Sequence, residues 1–210
     1  MLAPICSLAI GYLLGSLPTA YLLVRWKSRV DIRGAGSGNV GTLNAAQVTG
    51  SKSLGIAVLL GDLLKGSAAV WMSSLILGDG FWIGGIAGLG AILGHNYPVW
   101  LRFKGGRGLA TAAGVLLVMS WSLVVVWCLI WLITYSLSRS VHGSNILASL
   151  CTPAAAIPVF HILRPGQDGG ETMNVVLLMS IISLLILIRH IDTLQGLRQE
   201  FTKSHRANQR

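Results

Sequence analysis

The chain has 210 residues, 53% of them hydrophobic and 11% charged, with a mean hydropathy of +0.68. Soluble domains carry roughly 25% charged residues, so this composition excludes an ordinary water-soluble globule and indicates a membrane protein. The net charge of +9 does not point to nucleic acid, because Lys and Arg sit in short clusters between apolar runs, as membrane topology requires.

The first apolar run, Leu2–Val24, has no basic region before it and is followed by Arg25, Lys27 and Arg29. That order argues for a retained transmembrane helix and against a cleaved signal. Further runs predict helices over Ser53–Leu77, Gly80–Trp100, Leu109–Leu137, Ser144–Ile162 and Met173–Ile188. Most are near the ~20 residues that span a bilayer. Leu109–Leu137 is the exception: as one helix it would extend to roughly 43 Å, against a hydrocarbon core of about 30 Å.

A break near Ser120 resolves this and makes about seven segments. Arg25–Lys52, Arg102–Arg107, Arg139 and the residues from Arg189 onward then fall on one side, with only Arg164 opposite and Lys65 inside a helix. The positive side is the cytoplasm, so the N-terminus is expected outside and the C-terminus inside. Leu109–Met119 becomes a half-helix whose backbone neighbours must satisfy. The expected fold class is all-α: a polytopic transmembrane helical bundle forming one domain over 1–210, with a short basic cytoplasmic tail from about 189.

Cys6, Cys128 and Cys151 stand singly in apolar stretches, without the spacing of a zinc site or disulfide framework. No metal or other cofactor is expected. The tryptophans fall largely near helix ends, as an aromatic belt does. Asp62 and Lys65 share one face of a predicted span, and a clamp between helices is preferred to a catalytic role because Asp62 should lie deeper than the cytoplasmic boundary.

Two loops carry the chemistry. Asp31-Ile32-Arg33-Gly34-Ala35-Gly36-Ser37-Gly38-Asn39-Val40-Gly41 is Gly-rich beside a basic cluster. Glycines let successive N–H groups converge on an anion, and Ser37 and Asn39 add side-chain donors. Gly94-His95-Asn96-Tyr97-Pro98-Val99-Trp100-Leu101-Arg102-Phe103-Lys104-Gly105-Gly106-Arg107-Gly108 repeats the design at the end of another helix. On the topology above both loops meet one boundary and gather Arg33, Arg102, Lys104 and Arg107, which suits a centre handling two phosphates. The alternative is tight turns with positive-inside anchors. Neither loop is a Walker A sequence or a Rossmann fingerprint.

The runs GSLPTAY (Gly15–Tyr21), DIRGAGSGNVGTLNA (Asp31–Ala45), GDLLKG (Gly61–Gly66) and GHNYPVWLRFKGGRGLAT resemble the acyl-phosphate-dependent glycerol-3-phosphate acyltransferases of bacterial membranes. The likeness covers roughly the first 115 residues in order. It implies a seven-helix enzyme in the bacterial plasma membrane, its active site facing the cytoplasm. Such an enzyme moves a fatty acyl group from acyl phosphate to the 1-hydroxyl of glycerol-3-phosphate among membrane lipids, giving lysophosphatidic acid and phosphate. The H-x-x-x-x-D pattern of other acyltransferases is absent, since Trp100 follows His95 at that spacing.

Carried over residue by residue, the resemblance assigns Ser37, His95 and Arg107 to catalysis. It assigns Arg33, Gly36, Gly38, Asn39, Gly41, Asn44, Lys104, Gly105, Gly106 and Gly108 to phosphate and substrate binding. The first loop would hold the acyl phosphate, while Arg107, Lys104 and His95 position the acceptor. His95 is a candidate general base; a capping or packing role for it, and proton transfer to the departing phosphate, are the alternatives.

The chain departs from the family pattern at Leu43-Asn44 followed by Gln47, where Thr-Asn and then Arg are usual. It departs again at Arg107 in place of Lys, in Ser138–Asn145 against TRYVSLAS, and around Arg189–Leu197. A divergent relative with another acceptor or no turnover is therefore a competing reading. A small-substrate transporter is another.

Overall fold

The structure, a computed structural model, describes residues 2–163 and 169–207, with side chains described as far as Ile191. Its α-helices in chain order are α1 (Leu2–Gly15), α2 (Thr19–Ser28), α3 (Thr42–Thr49), α4 (Lys52–Leu77), α5 (Phe81–Asn96), α6 (Leu109–Met119), α7 (Trp121–Ser138), α8 (Val141–Leu163) and α9 (Gly169–Ala207). Single 3-10 turns at Ile32–Gly34 and Val99–Leu101 lie in the two loops, and no strand occurs among the described residues.

Five stretches are long and apolar enough to cross a membrane: Leu2–Ser28, Lys52–Leu77, Trp121–Ser138, Val141–Leu163 and Gly169–Ile191. With 16 residues α5 is shorter, and α6 has 11. The break expected near Ser120 is present: α6 ends at Met119 and α7 starts at Trp121, with Ser120 extended at φ −164° between them. The half-helix α6 packs among α4, α5 and α7.

Two boundaries differ from expectation. The first run is not one helix over Leu2–Val24 but α1 and α2, interrupted at Ser16–Pro18. Pro18 has no N–H to donate and disfavours helix at the residue before it. At the other end the chain continues as helix through Arg189 within α9, where a tail was expected. Arg164, expected on the opposite face, lies outside the described residues, as do the side chains of Arg198 and the basic residues after it.

Inside a bilayer the hydrophobic effect gives helices no reason to associate, so close packing and polar contacts must do it. Small residues bring α1 against α5: a Cβ at Gly11 or Gly15 would strike the backbone of Ala87 or Ala91, and one at Gly94 would strike that of Tyr12 and Ser16. α4 and α6 meet in the same way at Gly66 and Gly114, and Ser67 Oγ donates to Gly114 O at 2.8 Å. Trp131 Nε1 donates to Asn145 Oδ1 at 2.7 Å between α7 and α8. Ser183 Oγ donates to Ser149 O at 2.7 Å between α9 and α8.

The second loop leaves α5, which this glycine-mediated packing holds against α1, and Arg33 Nη1 donating to Leu101 O at 3.3 Å brings the first loop to the same end of the bundle. Replacing Gly94 with Leu should separate α1 from α5 and cost about 1–3 kcal/mol. A thermal unfolding midpoint several degrees lower in detergent is the expected result; an unchanged midpoint would show that the interface tolerates a side chain.

Candidate active site

The first loop is ordered from within by one buried amide. Asn44, 1% exposed on α3, donates from Nδ2 to Ala35 O and Asn39 O, both at 3.0 Å, and accepts Ser37 N–H on Oδ1 at 2.9 Å. Its carboxamide thus faces the loop backbone, which assigns Asn44 to loop shape. Gly36 and Gly38 adopt φ of +58° and +70°, and a Cβ at Gly36 would collide with Asn44 Oδ1. Asn44 and the two left-handed glycines therefore require one another.

Arg33 is engaged as well. It clasps Asp31 through Nε and Nη2, the latter at 2.6 Å from Oδ2, and reaches Leu101 O with Nη1 at 3.3 Å. Its guanidinium also lies over the Tyr21 ring, 5.3 Å from the centroid. The Arg33 hydrogen bonds hold the Asp31 carboxyl down at about 2 and push Arg33 up. Arg33 is thereby a brace between the loops, while the Ser37 side chain beyond it is exposed.

The second loop folds over the C-terminal end of α5. Arg102 and Phe103 both take left-handed conformations, at φ +54° and +62°, and Phe103 N–H donates back to Pro98 O at 2.9 Å. Each such residue costs roughly 1–2 kcal/mol, so the tight reversal has to be held by its surroundings. Gly106 N–H bonds His95 O at 3.1 Å. A side chain at Gly106 would strike the His95 ring at Nε2, with Val40 O of the first loop close by. Lys104 and Arg102 are exposed, whereas Gly105, Gly106 and Gly108 are buried.

Arg107 turns inward to a basic group. Its Nη1 lies 3.1 Å from His142 Nδ1 on α8, and because guanidinium only donates, that nitrogen is the acceptor. The His142 and His190 rings stand 6.5 Å apart. Arg189 on α9 donates from Nε to Gly106 O at 3.1 Å and from Nη2 to Gly105 O at 3.2 Å. Burial and the nearby Arg189 charge both lower Arg107 from its ordinary value. His190 Nδ1 bonds Ile186 O at 2.8 Å, and its buried Nε2 has no hydrogen-bond partner. Two arginines and two histidines from three elements thus converge, a concentration of donors suited to an anion. No group of three metal-ligating side chains occurs among the described residues.

Beside this cluster lies an apolar cavity of about 240 Å³. Leu109, Leu116, Trp127, Met179 and Ile186 are among its lining residues. It starts next to Gly108 and one turn before Arg189 and His190, so a molecule with an anionic head and an aliphatic tail fits the pair of surfaces.

A family model described as glycerol-3-phosphate acyltransferase matches residues 5–200. The chain belongs to this glycerol-3-phosphate acyltransferase family. Curated relatives of that name include one from Nitrobacter winogradskyi, 48% identical over 69% of this chain and 72% of its own length. Another, from Rhodopseudomonas palustris (strain BisB5), is 39% identical over 92% of each chain. Among solved structures, the glycerol 3-phosphate form of PlsY (YgiH), an integral membrane glycerol 3-phosphate acyltransferase, superposes with a TM-score of 0.75. Its sequence is 31% identical, over 94% of this chain and 92% of that one. The lysophosphatidic acid form gives 0.74 with the same identity and coverage.

For this acyltransferase-family member, the structure joins the bases of the two loops through Arg33–Leu101 and Val40–Gly106. Among the described residues no hydrogen bond links Ser37 to His95 or Arg107. His142 stood out in sequence only as a departure from the family pattern, and Arg189 and His190 as the start of a tail. Only the packing of α8 and α9 brings them to Arg107.

Asp62 is the larger surprise. It was placed away from the chemistry, yet its Oδ1 lies 3.6 Å from His95 Nδ1.

The Asp31–Arg33 contact makes a pH prediction. A carboxyl held at about 2, below its ordinary 3.8, stabilises the fold at pH values above 3.8 and loses that contribution as pH falls through about 2. Asp31 is partly exposed, so the effect should be no more than about 1 kcal/mol. The difference in thermal midpoint between wild type and Asp31→Asn should be constant above about pH 5 and close to zero near pH 2. A difference independent of pH would show that the ion pair does not stabilise the loop.

Proposed function

We propose that this chain transfers a fatty acyl group from acyl phosphate to the 1-hydroxyl of sn-glycerol-3-phosphate in the bacterial plasma membrane, yielding lysophosphatidic acid and phosphate. The observation that carries the reading is the basic group Arg107, His142, Arg189 and His190, gathered at the second glycine-rich loop beside an apolar cavity. Both loops would face the cytoplasm, with the N-terminus outside and residues 1–210 acting as one domain.

Acyl phosphate is already activated, so the protein's work is to orient two anions and stabilise developing charge. The hydroxyl oxygen attacks the acyl carbon, an ester bond forms, the bond from acyl carbon to phosphate oxygen breaks, and phosphate leaves. The exposed Ser37 hydroxyl and the Asn39 side chain hold the donor's phosphate, with Gly36, Gly38 and Gly41 giving it close approach and Asn44 fixing the loop. Arg107 and the His190 Nε2 side of the histidine pair receive the acceptor's phosphate. Gly105, Gly106 and Gly108 let the backbone approach, and the exposed Lys104 draws anions to the mouth. The hydroxyl proton passes to His95 or to the departing phosphate.

A divergent acceptor is a second reading, favoured by Gln47 where the family usually has Arg and by His142 as the partner of Arg107. Purified protein in lipid, given palmitoyl phosphate and glycerol-3-phosphate, should release phosphate and form lysophosphatidic acid. Ser37→Ala and Arg107→Met should each lower kcat/KM about 10²-fold or more while folding normally. Folded protein that yields neither product with glycerol-3-phosphate, but acylates another polyol phosphate, would establish the second reading; wild-type rates in both variants would remove these residues from the site.

A further inference from the structure

The polar cluster under the second loop is built around one carboxylate oxygen. Asp62 Oδ1 lies 2.8 Å from Lys65 Nζ, accepts the Thr19 hydroxyl at 3.1 Å and faces His95 Nδ1 at 3.6 Å. Lys65 Nζ also donates at 3.1 Å to Leu17 O, which accepts Thr19 N–H at 3.0 Å as well. Asp62 is 2% exposed, and Lys65 and His95 are 7% each. A clamp between α4 and the start of α2 would need only Asp62, Lys65, Thr19 and Leu17. His95 is extra to it.

The far side of the imidazole explains why it is there. His95 Nε2 lies against Gly106 closely enough to forbid any side chain at that residue, and the His95 carbonyl accepts the Gly106 N–H at 3.1 Å. Gly106 O receives Arg189 Nε at 3.1 Å, and the next residue is Arg107. The ring is thus held between a carboxylate fixed by two other donors and the turn that presents the anion-binding arginine.

We propose that Asp62 is a positioning residue of the acyltransfer site, acting through His95 to set the Gly105–Gly106 turn and hence Arg107. Lys65 and Thr19 have the subordinate task of fixing the carboxylate. The inference rests on the acyltransferase reading for its kinetic readout and on geometry alone for a second one.

The test is a cycle of Asp62→Asn, His95→Gln and the double variant in the full-length protein in lipid, assayed with palmitoyl phosphate and glycerol-3-phosphate. Asp62→Asn should lower kcat about 10–100-fold with little change in KM for acyl phosphate, and should add almost nothing in the His95→Gln background. Multiplying losses would reduce Asp62 to a helix clamp and overturn the proposal, as would an unchanged kcat in either single variant. If Asp62→Asn does not fold, Thr19→Val removes one donor to the same oxygen without leaving a buried charge unpaired, and should show the same dependence on His95. Stabilisation of the protein by inorganic phosphate in thermal unfolding needs no turnover: the Asp62 and His95 variants should weaken it equally and without adding. If wild type forms no product yet shows this pattern, the acyltransferase reading fails and the positioning role stands; full phosphate stabilisation in Asp62→Asn overturns the positioning role alone.

Discussion

Hydrocarbon offers no donors to a carbonyl at a helix break, and at the break after α1 the Leu17 carbonyl takes two from the protein, Thr19 N–H at 3.0 Å and Lys65 Nζ at 3.1 Å. A buried ammonium then needs an anion, and Asp62 one turn earlier on α4 provides the charge. The carboxylate in turn fixes the start of α2 through Thr19 and stands beside His95, the last turn of α5. Four segments are tied at one polar node. The break at Pro18, which looks like a defect in a transmembrane helix, is what starts the chain of contacts.

The loops inherit their positions from that node. α5 ends in His95 and Asn96, and the second loop returns over them because Gly105 and Gly106 let its backbone approach the His95 carbonyl and ring. The first loop is shaped separately, by Asn44 on α3, and meets the second where Ile32, Val40 and Leu101 pack in one apolar cluster. The backbone of the two glycine-rich loops is therefore carried on two supports, one amide and one imidazole. Both supports are buried and both are reached by removing side chains from the loop rather than by adding them. Arg33 and Asp31 close the remaining gap as a surface pair, which Leu101 O braces from the second loop.

The sequence was most informative where a pattern had a local cause. Length and charge together required the break at Ser120, since a helix through Leu109–Leu137 would overshoot the bilayer and scatter the basic residues; α6 and α7 divide there. Gly36, Gly38 and Gly106 read as anion-loop glycines, and their positive φ or close contacts bear out the need for glycine there. Partners distant in the chain were not legible. Nothing in the spacing of Asp62 relative to His95 reports that the interior of α4 lies beside the last turn of α5. The clamp expected of Asp62 and Lys65 is present, but its partners Thr19 and Leu17 were hidden because Leu2–Val24 read as an unbroken span and not as two helices interrupted at Ser16–Pro18. Arg189 and His190 were hidden for a related reason: a basic cluster after an apolar run reads as an anchor, and only the continuation of α9 as helix turns Arg189 back onto Gly105 and Gly106.

The departures from the family pattern become intelligible as a set in this geometry. Arginine at position 107 replaces a compact ammonium with a planar fork that needs an acceptor for its unused face. His142 Nδ1 supplies that acceptor at 3.1 Å, where a residue without a ring nitrogen would leave the fork to rotate. Accepting on Nδ1 places the His142 proton on Nε2, so the ring offers a donor from its other edge. Polar groups from α8 and α9 thus reach the second loop through His142 and Arg189, whereas Gln47 on α3 brings no charge to the first. The surroundings of Arg107 are therefore set by the packing of α8 and α9 as much as by the glycine-rich loops that make the family recognisable.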